Sequence, residues 1–229
     1  MKTIGVLGGL GPQATDDFLA RLHRAANRMI EPRFNSGYPP MVVHYHRRPP
    51  VVMADARTPK LPMEVDGSIL EAVAWLGTWA DFLVIPANAP HLFAEEIETA
   101  AGKSLLNMVV LALAEAARRG WTRAGVLGFG DARVPVYTGR GTSMVWEVID
   151  RGLQAGVSDA VIRCQEGRAG DEQRQAVEEA VSQLRARAVD GIILGCTELP
   201  LILGEKAEAD DLLNPAELLA EAAVRRAMG

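Results

Sequence analysis

One pattern occurs twice in this chain and constrains its fold more than any other. Asp81-Phe82-Leu83-Val84-Ile85-Pro86-Ala87-Asn88-Ala89-Pro90-His91 and Asp190-Gly191-Ile192-Ile193-Leu194-Gly195-Cys196-Thr197-Glu198-Leu199-Pro200 share one build: an acid, an apolar run, a break, then small or polar residues. Apolar runs with adjacent β-branched residues read as buried parallel strands. Counted from the two acids, Ala87 falls opposite Cys196. A second pair precedes these. Ile4-Gly5-Val6-Leu7-Gly8-Gly9 resembles Ala124-Gly125-Val126-Leu127-Gly128-Phe129. Two strand types, each present twice and in the same order, predict an α/β fold of two similar parallel-sheet domains related by pseudo-symmetry. The site is then expected in the cleft between them, at the carboxyl ends of strands.

Residue periodicity fills in the rest. Strands are expected over 3–7, 41–45, 82–85, 123–127, 160–164 and the run ending before Cys196. Helices are expected over 13–30, 68–79, 95–101, 105–119, 143–154, 171–189 and from 215 to about 228. Loops rich in Pro, Gly and polar residues lie over 31–40, 47–62 and 131–141. Residues 1–104 with a returning helix over 212–229 are expected to form one half, and residues 105–211 the other.

Composition excludes several classes of partner. The chain has 229 residues and a formal net charge of −5, which argues against nucleic-acid binding. No apolar run reaches the ~18 residues a membrane helix needs. The first residues enter a strand, so no signal peptide is expected. Two cysteines, Cys164 and Cys196, are too few for a disulfide framework. The cytoplasm is the expected compartment. No metal is expected: His44 and His46 alternate on a strand, and His23 and His91 lie apart.

Gly9-Leu10-Gly11-Pro12-Gln13-Ala14 fits the spacing of a dinucleotide-binding turn. The ribose-binding acid should end the second strand, yet that strand runs into Tyr45-His46-Arg47-Arg48, and Glu31 lies in a loop before it. Two other readings stand: a turn whose backbone N–H groups face a small carboxylate, with Gly9 at its centre, or simply a tight strand-to-helix turn.

Cys196 is the candidate base or nucleophile. Thr197 is placed as a helix N-cap and Pro200 in the first helical turn, and a helix N-terminus favours a thiolate. The alternative is a small buried hydrophobe, which is also the reading for Cys164. His91 is a proton donor or a structural hydrogen bond at a helix start. Arg47 and Arg48 clamp a carboxylate or are solvated loop charges. Asn88 and Thr197 stand at matching places after the two strand ends, to bind substrate or to cap helices. Glu166 is a general base or a surface acid.

Taken together, Ile4-Gly5-Val6-Leu7-Gly8-Gly9-Leu10-Gly11-Pro12 and Leu194-Gly195-Cys196-Thr197-Glu198-Leu199-Pro200 resemble the aspartate/glutamate racemase family. The resemblance implies amino acid racemisation without pyridoxal phosphate, metal or any other cofactor, by two thiols on opposite faces of the substrate. It implies a small amino acid or carboxylate substrate and a homodimer. It places Cys196 as one thiol and the other at Ala87, in a stretch expected to read Pro-Cys-Asn-Thr-Ala-His. Here Ala87 replaces the Cys and Ala89 the Thr, while Asn88 and His91 remain. Gly9, Arg48, Asn88, Ala89, Thr197 and Glu198 are the implied substrate contacts, and His91 is a candidate second acid. The family's Lys before a Gly is replaced by Glu166 in Arg163-Cys164-Gln165-Glu166-Gly167. With one thiol, two alternatives arise: a decarboxylase or isomerase of a small carboxylate, in which Cys196 protonates one face, and a carboxylate-binding homologue that has lost catalysis.

Overall fold

The computed structural model describes residues 1–34, 37–55, 59–130, 136–140 and 143–229. Most of the loop expected over 131–141 lies outside them. The chain is an α/β protein with two parallel sheets, each in its own compact unit. One unit comprises Met1–Met108 and Ala216–Gly229; the other is Val109–Pro215.

In the amino-terminal unit, strands β1 (Ile4–Gly8), β2 (Met41–Tyr45) and β3 (Phe82–Val84) form a sheet in the order β2-β1-β3. Strand β1 is buried throughout. A Cβ at Gly5 would lie 2.7 Å from the Ala80 side chain and 2.8 Å from that of Leu83, so the strand admits only glycine there. Helix α1 (Pro12–Met29) follows with proline in its first turn. It buries Phe18, Leu22, Ala25 and Ala26, one stripe at helical spacing. Helix α2 (Gly67–Gly77) is capped by Asp66, whose side chain accepts from Ser68 N–H. Ile69, Val73 and Leu76 of α2 pack with Leu7, Leu83, Ile85 and Ile97 of the core. Each such side chain contributes about 1.5–3 kcal/mol on burial. Helix α3 (Ala94–Ala101) follows a short 3-10 turn, Ala89–Phe93. A further parallel bridge joins Leu83 to Leu105.

The second unit begins in helix α4, which runs Met108–Arg118. Strands β4 (Arg123–Leu127), β5 (Val145–Glu147), β6 (Gly191–Leu194) and β7 (Leu212–Leu213) take the order β5-β4-β6-β7. Each unit thus sets its first strand between the second and third, with one further parallel partner beyond. Helices α5 (Arg151–Gln165) and α6 (Asp171–Ala186) pack on each other and on Leu127, Ile192 and Leu194. Helix α7 is short (Leu199–Leu203), and α8 (Pro215–Met228) returns to the amino-terminal unit.

Two expectations fail between residues 143 and 165. The expected helix over 143–154 gives way to strand β5, and the expected strand over 160–164 lies inside α5. Val157, Ala160, Val161 and Cys164 are buried at three- and four-residue steps. That stripe serves a helix packed on α6 and outweighs the β-branched Val161-Ile162 pair.

Candidate functional site

Strand β6 is buried along its whole length and stops at Leu194. Gly195 N–H then turns back to Leu127 O at 2.6 Å and Ile193 O at 3.0 Å. A Cβ at Gly195 would meet Leu127 O at 2.9 Å and the Tyr137 ring at 3.3 Å. Only glycine fits this corner, which carries Cys196 off the strand end. Cys196 is part-buried and packs beside the core of its unit.

The residues after it form a buried polar cluster. Glu198 is 2% exposed. Its Oε2 accepts from Cys196 Sγ at 2.9 Å and from Thr197 Oγ1 at 3.4 Å. Its Oε1 accepts from Gln165 Nε2 at 2.9 Å. The cap position of α7 is occupied by Glu198, with Pro200 in the first turn. Thr197 therefore precedes the cap, and its hydroxyl is spent on Glu198.

This environment corrects the expectation of a thiolate. Burial pushes the Cys196 thiol well above the ordinary range, and the Glu198 carboxylate adds to it by charge and by accepting its proton. A backbone N–H of Glu198 pulls the other way and does not prevail. The resting group is a neutral thiol that donates to a carboxylate. Cys164 is buried nearby, its thiol pushed up to about 11 by burial and then by Glu198. Burial, and then the neighbouring Cys196, also raise Tyr137.

The amino-terminal unit offers a second set of strand ends. Ala87 is part-buried against the core, and Asn88 is buried. Ala89 opens the 3-10 turn, and His91 within it is fully buried. His91 Nε2 lies 3.0 Å from Ile85 O, which fastens the turn to the end of the β3 segment. Gly9 has φ +81°, and its N–H donates to Thr15 Oγ1 at 2.8 Å. The Thr15 hydroxyl in turn donates to Gly11 O at 2.9 Å. The turn thus satisfies its own Gly9 donor. Arg47 Nη1 donates to Gly9 O at 3.3 Å, so Arg47 is the arginine that touches this turn. Arg48 is exposed and near enough to His46 and Asp66 to influence both electrostatically.

Sequence reading missed two residues here. Gln165 meets Glu198, whereas Glu166 turns outward to a short ion pair with Arg168. A side-chain contact across 33 positions leaves no local sequence signal. His46 reads in sequence only as alternating with His44. Its place directly after β2 was the available signal. Among the described residues no group of three or more His, Cys, Asp or Glu is placed to hold a metal ion, and no helix is long and apolar enough to cross a membrane.

Twin parallel sheets, with a thiol and a carboxylate together at one strand end, define the class of protein. The family model for Asp/Glu/Hydantoin racemase matches residues 7–223, and the chain belongs to that family. It is 28% identical over 109 residues to the broad specificity amino-acid racemase RacX of Bacillus subtilis (strain 168). That match spans 46% of this chain and 45% of the relative, less than half its length. The fold is similar to that of the aspartate racemase of Picrophilus torridus, with a TM-score of 0.78 and 22% identity over 100% of this chain and 95% of the other. It is also similar to an aspartate racemase homologue from Pyrococcus horikoshii OT3, with a TM-score of 0.75 and 18% identity over the whole of both chains.

Proposed function

We propose that this chain interconverts the enantiomers of an amino acid by proton transfer at the α-carbon, without pyridoxal phosphate or metal, and that Cys196 is one of its acid/base groups. The observation that carries this reading is the Cys196 thiol donating to the buried Glu198 carboxylate. Removing an α-proton leaves charge on the substrate carboxylate, and reprotonation needs a proton held close to the α-carbon. A neutral thiol at a strand end holds such a proton. Glu198 gives it a place to go when the reaction runs the other way and the thiol must act as a base. Asn88, Ala89 and Arg48 are the proposed substrate contacts of the amino-terminal unit, joined by Arg47 on the Gly9 turn. His91, tied to Ile85 O, is assigned a positioning role for Asn88 and Ala89. We place the enzyme in the cytoplasm as a homodimer.

The test is proton NMR of L- and D-amino acids incubated in D2O, with Cys196→Ser alongside. Solvent deuterium at the α-carbon with inversion supports the reading. Its absence across a broad panel removes it.

Ala87 favours a second reading. A site with one neutral thiol suits a decarboxylase of a malonate-type acid, where loss of carbon dioxide creates the enolate and the thiol protonates it. Carbon dioxide release that vanishes in Cys196→Ser would select this reading over racemisation.

A further inference from the structure

Glu198 is a buried carboxylate whose two oxygens are divided between partners on different elements. Oε2 accepts from Cys196 Sγ at 2.9 Å and from Thr197 Oγ1 at 3.4 Å. Oε1 accepts from Gln165 Nε2 at 2.9 Å. Cys196 and Thr197 immediately precede Glu198 in the chain, so neither fixes its carboxylate against the rest of the unit. Gln165 does, because it belongs to α5, 33 positions earlier.

Helix α5 is itself anchored. Its Val157, Ala160, Val161 and Cys164 lie in the core that also holds Leu194, Leu199 and Ile202. Gln165 is the last residue of that helix, one step beyond Cys164. It is exposed, whereas Glu198 is 2% exposed. The amide therefore reaches from the surface onto a carboxylate shielded from water. An ionised carboxylate only accepts, so the amide must present its NH₂ group. With Oε1 held, the carboxylate does not turn, and Oε2 stays on the sulfur. The other titratable groups that influence Cys196 or are influenced by it are Cys164 and Tyr137, and burial keeps both neutral near pH 7. Glu198 is then the charge beside the thiol, and its placement decides how tightly the thiol proton is held.

We propose that Gln165 is a positioning residue for the reactive thiol: its amide holds the Glu198 carboxylate against Cys196 Sγ. The catalytic use of this arrangement rests on the racemase reading. Cys196 gives a proton in one direction of that reaction and takes one in the other, and a carboxylate fixed on the sulfur serves both. The sign of the effect on Cys196 separates two alternatives. If Gln165 holds Glu198 in place, removing the amide lets the carboxylate turn to water, and the thiol pKa falls. If Glu198 keeps its place unaided, losing a donor makes its carboxylate the stronger acceptor, and the thiol pKa rises.

The experiment is alkylation of Cys196 by iodoacetamide at fixed pH, read by peptide mass spectrometry, in wild type, Gln165→Met, Glu198→Gln and the double variant. Gln165→Met keeps an unbranched side chain of similar length and removes the donor at an exposed position, and urea midpoints check the fold. Alkylation is expected to quicken several-fold in Gln165→Met, and by less than in Glu198→Gln. Adding Gln165→Met to Glu198→Gln should change nothing further, because the charge being positioned is gone. A slower or unchanged rate in Gln165→Met overturns the proposal. So do additive effects in the double variant, which mark a general loosening of the end of α5. If Gln165→Met does not fold, Gln165→Asn leaves the amide one carbon short of Oε1 and carries the same expectation. In D2O, α-proton exchange by Gln165→Met should lose up to about 10²-fold in kcat with KM unchanged, and a change confined to KM also overturns the proposal. No exchange by wild type removes the racemase reading, while the alkylation cycle still decides whether Gln165 positions Glu198.

Discussion

The two units repeat a scaffold but not its chemistry. Asp81 precedes β3 and accepts Thr3 N–H at 2.6 Å. Asp190 precedes β6 and accepts Thr122 N–H at 2.6 Å and Arg123 N–H at 2.9 Å. Gly5 in β1 and Gly125 in β4 sit under side chains that exclude a Cβ. The strand orders match as well. At the opposite ends of the sheets the units part. One follows its third strand with Pro86-Ala87-Asn88, the other with Gly195-Cys196-Thr197 beside a buried carboxylate. Sheet construction depends on backbone hydrogen bonds and close packing, which tolerate few changes. A side chain displayed past a strand end takes no part in the sheet ladder, so one unit holds a thiol there and the other holds alanine.

The most severe way to break the comparison is to exchange the end residues. Cys196→Ser should reduce racemisation by about 10²–10⁴-fold. In a Cys196→Ser background, Ala87→Cys should restore about tenfold of the lost rate by giving the amino-terminal unit a thiol of its own. Chiral chromatography of the product reads both effects. No rescue would mean that the backbone at 87 does not present its side chain as the backbone at 196 does.

A smaller effect separates the turns after the two first strands. Gly9 and Gly130 both have positive φ, of +81° and +73°. A Cβ at Gly9 would strike the His46 backbone, whereas one at Gly130 meets nothing within 4 Å among the described residues. Gly9→Ala should cost about 1–3 kcal/mol more than Gly130→Ala, since backbone cannot give way as a flexible side chain can. Urea denaturation measures the difference.

Much of the scaffold was legible in the sequence because its signals are local. The paired acids, the β-branched runs and the buried stripe of α1 each fit within a few residues. Between residues 143 and 165 two local signals conflict. Val161 and Ile162 favour a strand, but Val157, Ala160, Val161 and Cys164 share one buried helical stripe, and the packed stripe prevails. Cys196 was legible as a candidate from its strand-end position. Its neutral thiol was not, because the helix that should favour a thiolate is five residues long and begins at Leu199, while Glu198 sits directly on the sulfur. His46 meets Ser68 and Gln165 bonds Glu198, partners 22 and 33 positions away. The Gln165 contact leaves no local signal, whereas His46 is marked by its place directly after β2.

Glu198 is a gentler probe of what distinguishes the carboxy-terminal strand end. Its charge and its accepted proton both raise the Cys196 pKa. Glu198→Gln removes the charge and must lower that pKa. The thiolate fraction at fixed pH then rises, and alkylation of Cys196 by iodoacetamide should quicken several-fold or so. Peptide mass spectrometry separates this from Cys164. A slower reaction would mean that the Glu198 charge does not raise the Cys196 pKa.

The smallest expected effect lies at the far ends of the sheets, where the units are most alike. The Asp190 carboxylate accepts two backbone N–H groups and the Thr122 hydroxyl. These bonds, from Arg123 first and then Thr122, hold its pKa below the ordinary value. An acid depressed in the folded state adds stability above its unfolded pKa and loses it as pH falls through the lower folded one. The margin of wild type over Asp190→Ala should therefore be full at neutral pH and shrink below about pH 4. Among the described residues Asp81 accepts a single bond at the matching place, from Thr3, so Asp81→Ala should cost less. Urea midpoints across pH for the two variants test both statements. Equal costs at every pH would mean that the carboxylates serve the two sheets as spacers and not as hydrogen-bond acceptors.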